Sequence, residues 1–104
     1  MRTFPTALSK LRDIVNERGA RLRTLPFGEL KRLAGGPIEH LSVDSRPATI
    51  GVMVQPSTDG GIRIVVRGFM KAKLLGWSVA LDGFYKYPDE TVAPMPDEEL
   101  DHFD

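Results

Sequence analysis

The residues whose types and spacing point most directly to chemistry are Arg63, Arg67, Tyr85 and Tyr87, and that chemistry is binding. Arg63 and Arg67 alternate with Ile62, Ile64 and Val66, so a strand over this stretch puts both arginines on the face opposite the apolar residues, beside Met53, Gln55 and Val65. Taking Asp82-Gly83 as a two-residue turn, Ala80 pairs with Tyr85 and Ser78 with Tyr87, which brings both tyrosines to the arginine face. Cations for phosphates and flat rings for bases are what a single-stranded nucleic acid requires. Arginine and tyrosine are also enriched where proteins meet proteins. Their abundance on solvated strands is the plainer reading of the same face, through β-propensity alone.

Other constellations carry less. Ser42, Ser45 and Ser78 lack the Gly-x-Ser-x-Gly context of a strained nucleophile. His40 and Asp44, four apart on a strand, stand about 13 Å from each other. His102 among Asp97, Glu98, Glu99, Asp101 and Asp104 lacks a defined ligand spacing, and ordering a terminal segment opposes binding. Gly35-Gly36 follows a helix instead of opening one, so it reads as a cap and not a phosphate loop. No catalytic residue, metal ligand or cofactor site is assigned, and the balance is against an enzyme.

These residues have to be positioned by a small α+β framework. Residues 3–18 read as a helix with Phe4, Leu8, Leu11 and Val15 on one stripe, Thr3 as N-cap, Pro5 in the first turn and Gly19 as the C′ residue. Residues 26–34 read as a second, shorter helix capped by Thr24 and ended by Gly35-Gly36-Pro37. Two short basic helices invite a helix-turn-helix reading, but the connection over 19–24 is long and a third helix is missing. A first strand over 38–44 and a turn over 44–47 lead to the clearest element. Ile50, Val52 and Val54 alternate with polar or small positions, Pro56–Gly61 turns, and Ile62, Ile64 and Val66 return. Residues 69–73 read as an irregular connection. Leu75, Trp77, Val79 and Leu81 then form a strand whose apolar side, Trp77 included, belongs to the core, and residues 84–87 return from the Asp-Gly turn until Pro88. The tail ends in one helical turn from Asp97, docked by Leu100 and Phe103.

The expectation is therefore a two-layer α+β domain: two N-terminal helices packed on a four- to five-stranded antiparallel meander sheet, with a short C-terminal helical turn. The helical part spans 1–36, the sheet 38–87 and an acidic, Pro-rich tail 88–104 of a single 104-residue domain.

Composition narrows the function classes. The net charge is zero, yet residues 1–47 hold nine Lys/Arg and five Asp/Glu, and the remainder holds the reverse, five and nine. Neither end carries a dense run of one sign, so mutual neutralisation in the fold or across a dimer is favoured over a polyanion partner. Cysteine is absent, which removes disulfides, thiolate metal sites and a Cys nucleophile and fits a reducing compartment. No signal peptide or spanning segment is evident. The sequence reads as a cytoplasmic, non-catalytic protein-binding module that self-associates. A single-stranded nucleic-acid binder using the Arg/Tyr face is the alternative, and a small-molecule-binding protein or enzyme ranks below both.

Overall fold

The computed structural model describes residues 6–36, 38–71 and 77–101. The chain runs α1 (Thr6–Arg23), α2 (Phe27–Lys31), β1 (Glu39–Val43), β2 (Arg46–Pro56), β3 (Ile62–Lys71), β4 (Trp77–Lys86), β5 (Val92–Pro94) and α3 (Asp97–Asp101). The five strands form one antiparallel sheet in the order β1-β2-β3-β4-β5, a pure meander. This is the expected α+β architecture. Leu75, Phe103, His102, Thr3, Phe4 and Pro5, to which the sequence assigned roles, lie outside the described residues, as does Pro37.

The β1–β2, β2–β3 and β4–β5 turns are each closed by chemistry suited to them. Asp44 and Ser45, at φ 49° and 66°, make the two-residue turn between β1 and β2, and both positive angles are those of type I′. Arg46 and Pro47, expected in the turn, already belong to β2. Ser57 donates to the Gly61 carbonyl across the β2–β3 turn. After β4, the Asp89 carboxylate accepts from the Thr91 amide and hydroxyl, and Glu90 takes φ 74°. That turn returns the chain as β5, a strand the sequence reading missed.

Two boundaries shift for physical reasons. α1 does not stop at Gly19 but continues to Arg23. A Cβ at Gly19 would overlap the Asp82 carboxylate of β4, so the glycine lets the helix approach the sheet and is not a cap. Thr24 does not cap α2: its hydroxyl donates back to the Arg21 carbonyl, and Pro26 occupies the N-cap position of α2.

The larger correction concerns β4, one continuous strand through Asp82-Gly83. Asp82 stands opposite Val66 and Gly83 opposite Val65 in the β3–β4 register. The side chains that meet the helices are consequently Ser78, Ala80, Asp82, Phe84 and Lys86, and Trp77, Val79 and Leu81 point the other way.

The core lies between α1, α2 and the inner sheet face. Leu11, Val15, Leu30, Ile50, Ile64, Val66, Met70 and Phe84 are buried, with Leu25, Phe27, Leu33, Val52 and Val54 packed at its margin. Leu11 and Val15 sit directly over Gly68 of β3. Among the described residues, ion pairs join α1 to the sheet and its first turn: Lys10 to Asp44 at 2.6 Å, Arg18 to Glu39 at 2.7 Å and Arg23 to Asp82 at 2.8 Å. At the end of α1 the buried Lys86 ammonium donates to the Arg23 carbonyl at 3.2 Å and faces Glu90 at 3.5 Å. A cation beneath the carbonyl end of a helix is a favourable placement.

Candidate binding face of the sheet

The outer face is divided in two by what covers it. Along β3 and β4 it presents Arg63 opposite Tyr85, Val65 opposite Gly83, Arg67 opposite Leu81, Phe69 opposite Val79 and Lys71 opposite Trp77. On β2 the partners are Gln55, Met53, Gly51 and Thr49, facing Arg63, Val65, Arg67 and Phe69 in turn.

The C-terminal segment straps the first half. Met95 is buried, and a Cβ on Gly83 would lie 2.8 Å from Leu100 Cδ2 and 2.9 Å from Met95 Sδ, so the segment rests on the bare backbone there. Val65, an outer-face residue, is fully buried beside it. The Tyr85 hydroxyl donates to the Glu99 carboxylate and fastens α3 to β4.

The second half is open. Trp77 is 65% exposed, Val79 43% and Ile38 60%. Phe69 and Arg67 are half-buried between them, and the Arg67 guanidinium lies 5.0 Å from the centre of the Phe69 ring. Because Gly51 has no side chain and Thr49 a small one, the surface is hollow on either side of Phe69. One groove of about 390 Å³ runs over Gly51 toward Ile38, Met53 and Gln55, and a second of about 360 Å³ lies between Thr49, Phe69 and Trp77.

The four residues singled out from the sequence share the outer side but not one site. Arg67 lines the open groove. Arg63 lies in the covered half, with its Nε buried. Tyr85 is engaged by Glu99, and Tyr87, past the end of β4, packs on Gly61 and donates to Asp59 at 2.9 Å. That bond, together with the one from Ser57, holds the Asp59 carboxyl below its ordinary value, the Ser57 contribution being the larger. The same bond pushes the Tyr87 phenol up.

Sequence reasoning missed Trp77, Phe69, Thr49, Gly51 and Ile38 at this face. Trp77 went to the core through the misplaced turn, and Phe69 to an irregular connection that is the end of β3. The usable signal was parity: Arg63, Arg67, Phe69 and Lys71 are all odd-numbered on one uninterrupted strand.

His40, in the β1 row beside Thr49, is exposed, while Asp44 is turned away to Lys10. Elsewhere the half-buried Arg23 and Asp82, the buried Lys86 and the exposed Glu90 join α1 and α2 to β4 and the turn after it; Glu90 accepts from the Phe27 amide at 3.0 Å. Among the described residues no three metal-ligating side chains cluster, and no helix is long and apolar enough to cross a membrane. No protein-family model, curated protein or solved structure matches the chain.

Proposed function

We propose that the chain is a small non-catalytic protein-binding module that self-associates through the open half of its outer sheet face. The observation that carries this is the exposure of Trp77, with Val79 beside it and Phe69 across the strand, on a sheet whose other half is covered by the chain itself. Tryptophan is the side chain most often found at the energetic centre of an interface, and contiguous exposed apolar surface marks a partner. Arg67 on Phe69 adds the residue type that accompanies such anchors. A cysteine-free composition fits a reducing location, and the cytoplasm goes with this reading.

The test is native mass as a function of concentration for the wild type and Trp77→Asp, with the fold monitored by thermal melting. The dimer is expected to weaken by at least about thirtyfold, the value of a hot-spot anchor of about 2 kcal/mol. Folding stability should move by less than about 0.5 kcal/mol, because Trp77 supports no core. A wild-type chain that stays monomeric at high concentration overturns self-association.

Single-stranded nucleic acid is the second reading, favoured by one observation: Arg67 and Lys71 flank the aromatic pair Phe69 and Trp77 on the same open surface. Cations beside stacking rings suit a backbone and its bases. Zero net charge counts against it.

A further inference from the structure

The β1–β2 hairpin leaves a stretch of β2 backbone without a paired strand among the described residues. β1 begins at Glu39, opposite Ile50, while β2 continues to Pro56. Among the described residues no strand lies beside β2 on that side beyond Ile50. Which backbone groups face the gap follows from the turn. A type I′ turn at Asp44-Ser45 closes with a bond from the Arg46 amide to the Val43 carbonyl. Val43–Arg46 is thus a hydrogen-bonded pair, and by alternation so are Leu41–Ala48 and Glu39–Ile50. Even-numbered residues of β2 direct their backbone groups toward the β1 side, and odd-numbered ones toward β3. Past Ile50 the even residues are Val52, Val54 and Pro56. Val52 and Val54 each present one donor and one acceptor to the gap. Pro56 has no N–H and terminates the ladder.

The groove of about 390 Å³ follows this edge. Gly35 and Gly36 form a wall without side chains, Ile38 closes one end, and Met53, Gln55 and Arg67 border the outer side. Arg67 takes part in none of the ion pairs of the described residues, and its guanidinium lies over the Phe69 ring. Gly51 stands opposite Arg67 and adds no side chain between the edge and the guanidinium, and the exposed Ile38 borders it, with Cγ1 3.7 Å from where a Cβ on Gly51 would stand.

We infer that the free edge of β2 at residues 51–55 receives an extended segment of a partner protein as an added strand, one carrying an apolar side chain for the groove and a carboxylate for Arg67. The backbone groups of Val52 and Val54 repeat at the spacing of a β-strand, and only an extended polypeptide matches alternating donors and acceptors at that repeat. Arg67, in no ion pair of the described residues, selects an acidic side chain within reach across Gly51. This rests on the reading of the chain as a protein-binding module; the Val52 and Val54 backbone it uses is distinct from the Trp77 surface, while Arg67 borders both.

The experiment takes the full chain, selects from a displayed library of short random peptides, and follows amide hydrogen exchange by NMR with the selected peptide. In the free protein the Val52 and Val54 amides should exchange faster than those of Gly51, Met53 and Gln55. Saturating peptide should slow Val52 and Val54 by about tenfold or more, the enriched sequences should carry an acid, and Arg67→Glu should weaken binding by about tenfold or more. Three results overturn the inference. They are a library that enriches nothing over a control surface, a peptide that leaves Val52 and Val54 unchanged, and protection of those two amides that grows with protein concentration alone, which would put a second copy on the edge. A Trp77-dependent dimer that persists through any of these would leave the proposed function standing without this edge site.

Discussion

Gly19 shows how one missing side chain sets the distance between two layers. Helix propensity favours alanine over glycine by about 1 kcal/mol, so a glycine inside an 18-residue helix is a cost that packing must offset. The offset is the Asp82 carboxylate, held against the helix by Arg23 through bonds of 2.8 and 3.2 Å, with the Phe84 ring 4.7 Å beneath the guanidinium. Gly19→Ala should therefore destabilise the fold by about 1–3 kcal/mol, because Asp82 must rotate away and abandon Arg23. In an Asp82→Ala background the added methyl meets no carboxylate, and the same substitution should become neutral or stabilising. Urea unfolding of the four chains of this cycle reads the sign reversal; two equal effects would show that Gly19 and Asp82 act independently. A smaller coupling joins Asp59 and Tyr87. Tyr87→Phe removes one of the two side-chain bonds to Asp59, so its carboxyl should titrate closer to the ordinary 3.8 while staying below it through Ser57. The Asp59 contribution to stability is complete above 3.8 and is lost as pH falls through the lowered value. That of Tyr87 is complete below 10.0 and is lost as pH rises through the raised one. Carbon-detected NMR titration of Asp59 in both chains checks the direction.

At the scale of elements, legibility depended on whether one layer or two decided a residue's role. β2 and β3 were readable because Ile50, Val52, Val54, Ile62, Ile64 and Val66 alternate and face a single apolar layer. Asp82-Gly83 was misread because the dipeptide has the chemistry of a tight turn, while here its members serve opposite faces. Asp82 answers Arg23 on the helix side, and Gly83 makes room for Met95 and Leu100 on the other. Those partners lie 59 and at most 17 residues away in the chain, beyond any local pattern. The error reversed the parity of everything before it on β4 and sent Trp77 to the wrong side. β5 escaped notice because three residues ending in a proline give no alternation to count. Of the candidate site, Arg67 was legible, and the aromatic ground around it was not. The strap itself is testable at Gly83. Gly83→Ala keeps a strand-compatible backbone but drives a methyl into Leu100 and Met95. It should loosen residues 95–101 while the sheet stays formed, at a cost of about 1–3 kcal/mol. Limited proteolysis reads this directly: faster cleavage confined to the C-terminal segment is the expected pattern, and unchanged resistance would mean that the strap is not held at Gly83.

For the whole molecule, the two readings of the open face respond to salt with opposite sign. The chain has no net charge, and α1 spends Lys10, Arg18 and Arg23 on carboxylates of the sheet, so those cations are not offered to a distant polyanion. What remains at the open face is an apolar centre, Trp77, Val79 and Phe69, flanked by Arg67 and Lys71. In a two-fold dimer the same patch meets itself, so the arginines and lysines of the two copies approach one another. Added salt screens that repulsion and leaves the apolar contact intact. The dimer should hold its affinity or tighten between about 0.05 and 0.5 M salt, over which the Debye length falls from about 14 to 4 Å. Nucleic acid would behave in the reverse way, since each phosphate neutralised releases counterions and the affinity falls as a power of the salt concentration. Even two phosphate contacts, at Arg67 and Lys71, predict a loss of roughly 25-fold or more over that range for a single strand. Sedimentation of the chain alone and with a short oligonucleotide at both salt concentrations therefore separates the two through the sign of the slope. A dimer that dissolves as salt rises would place paired opposite charges at the contact, and the Trp77-centred interface would have to be abandoned.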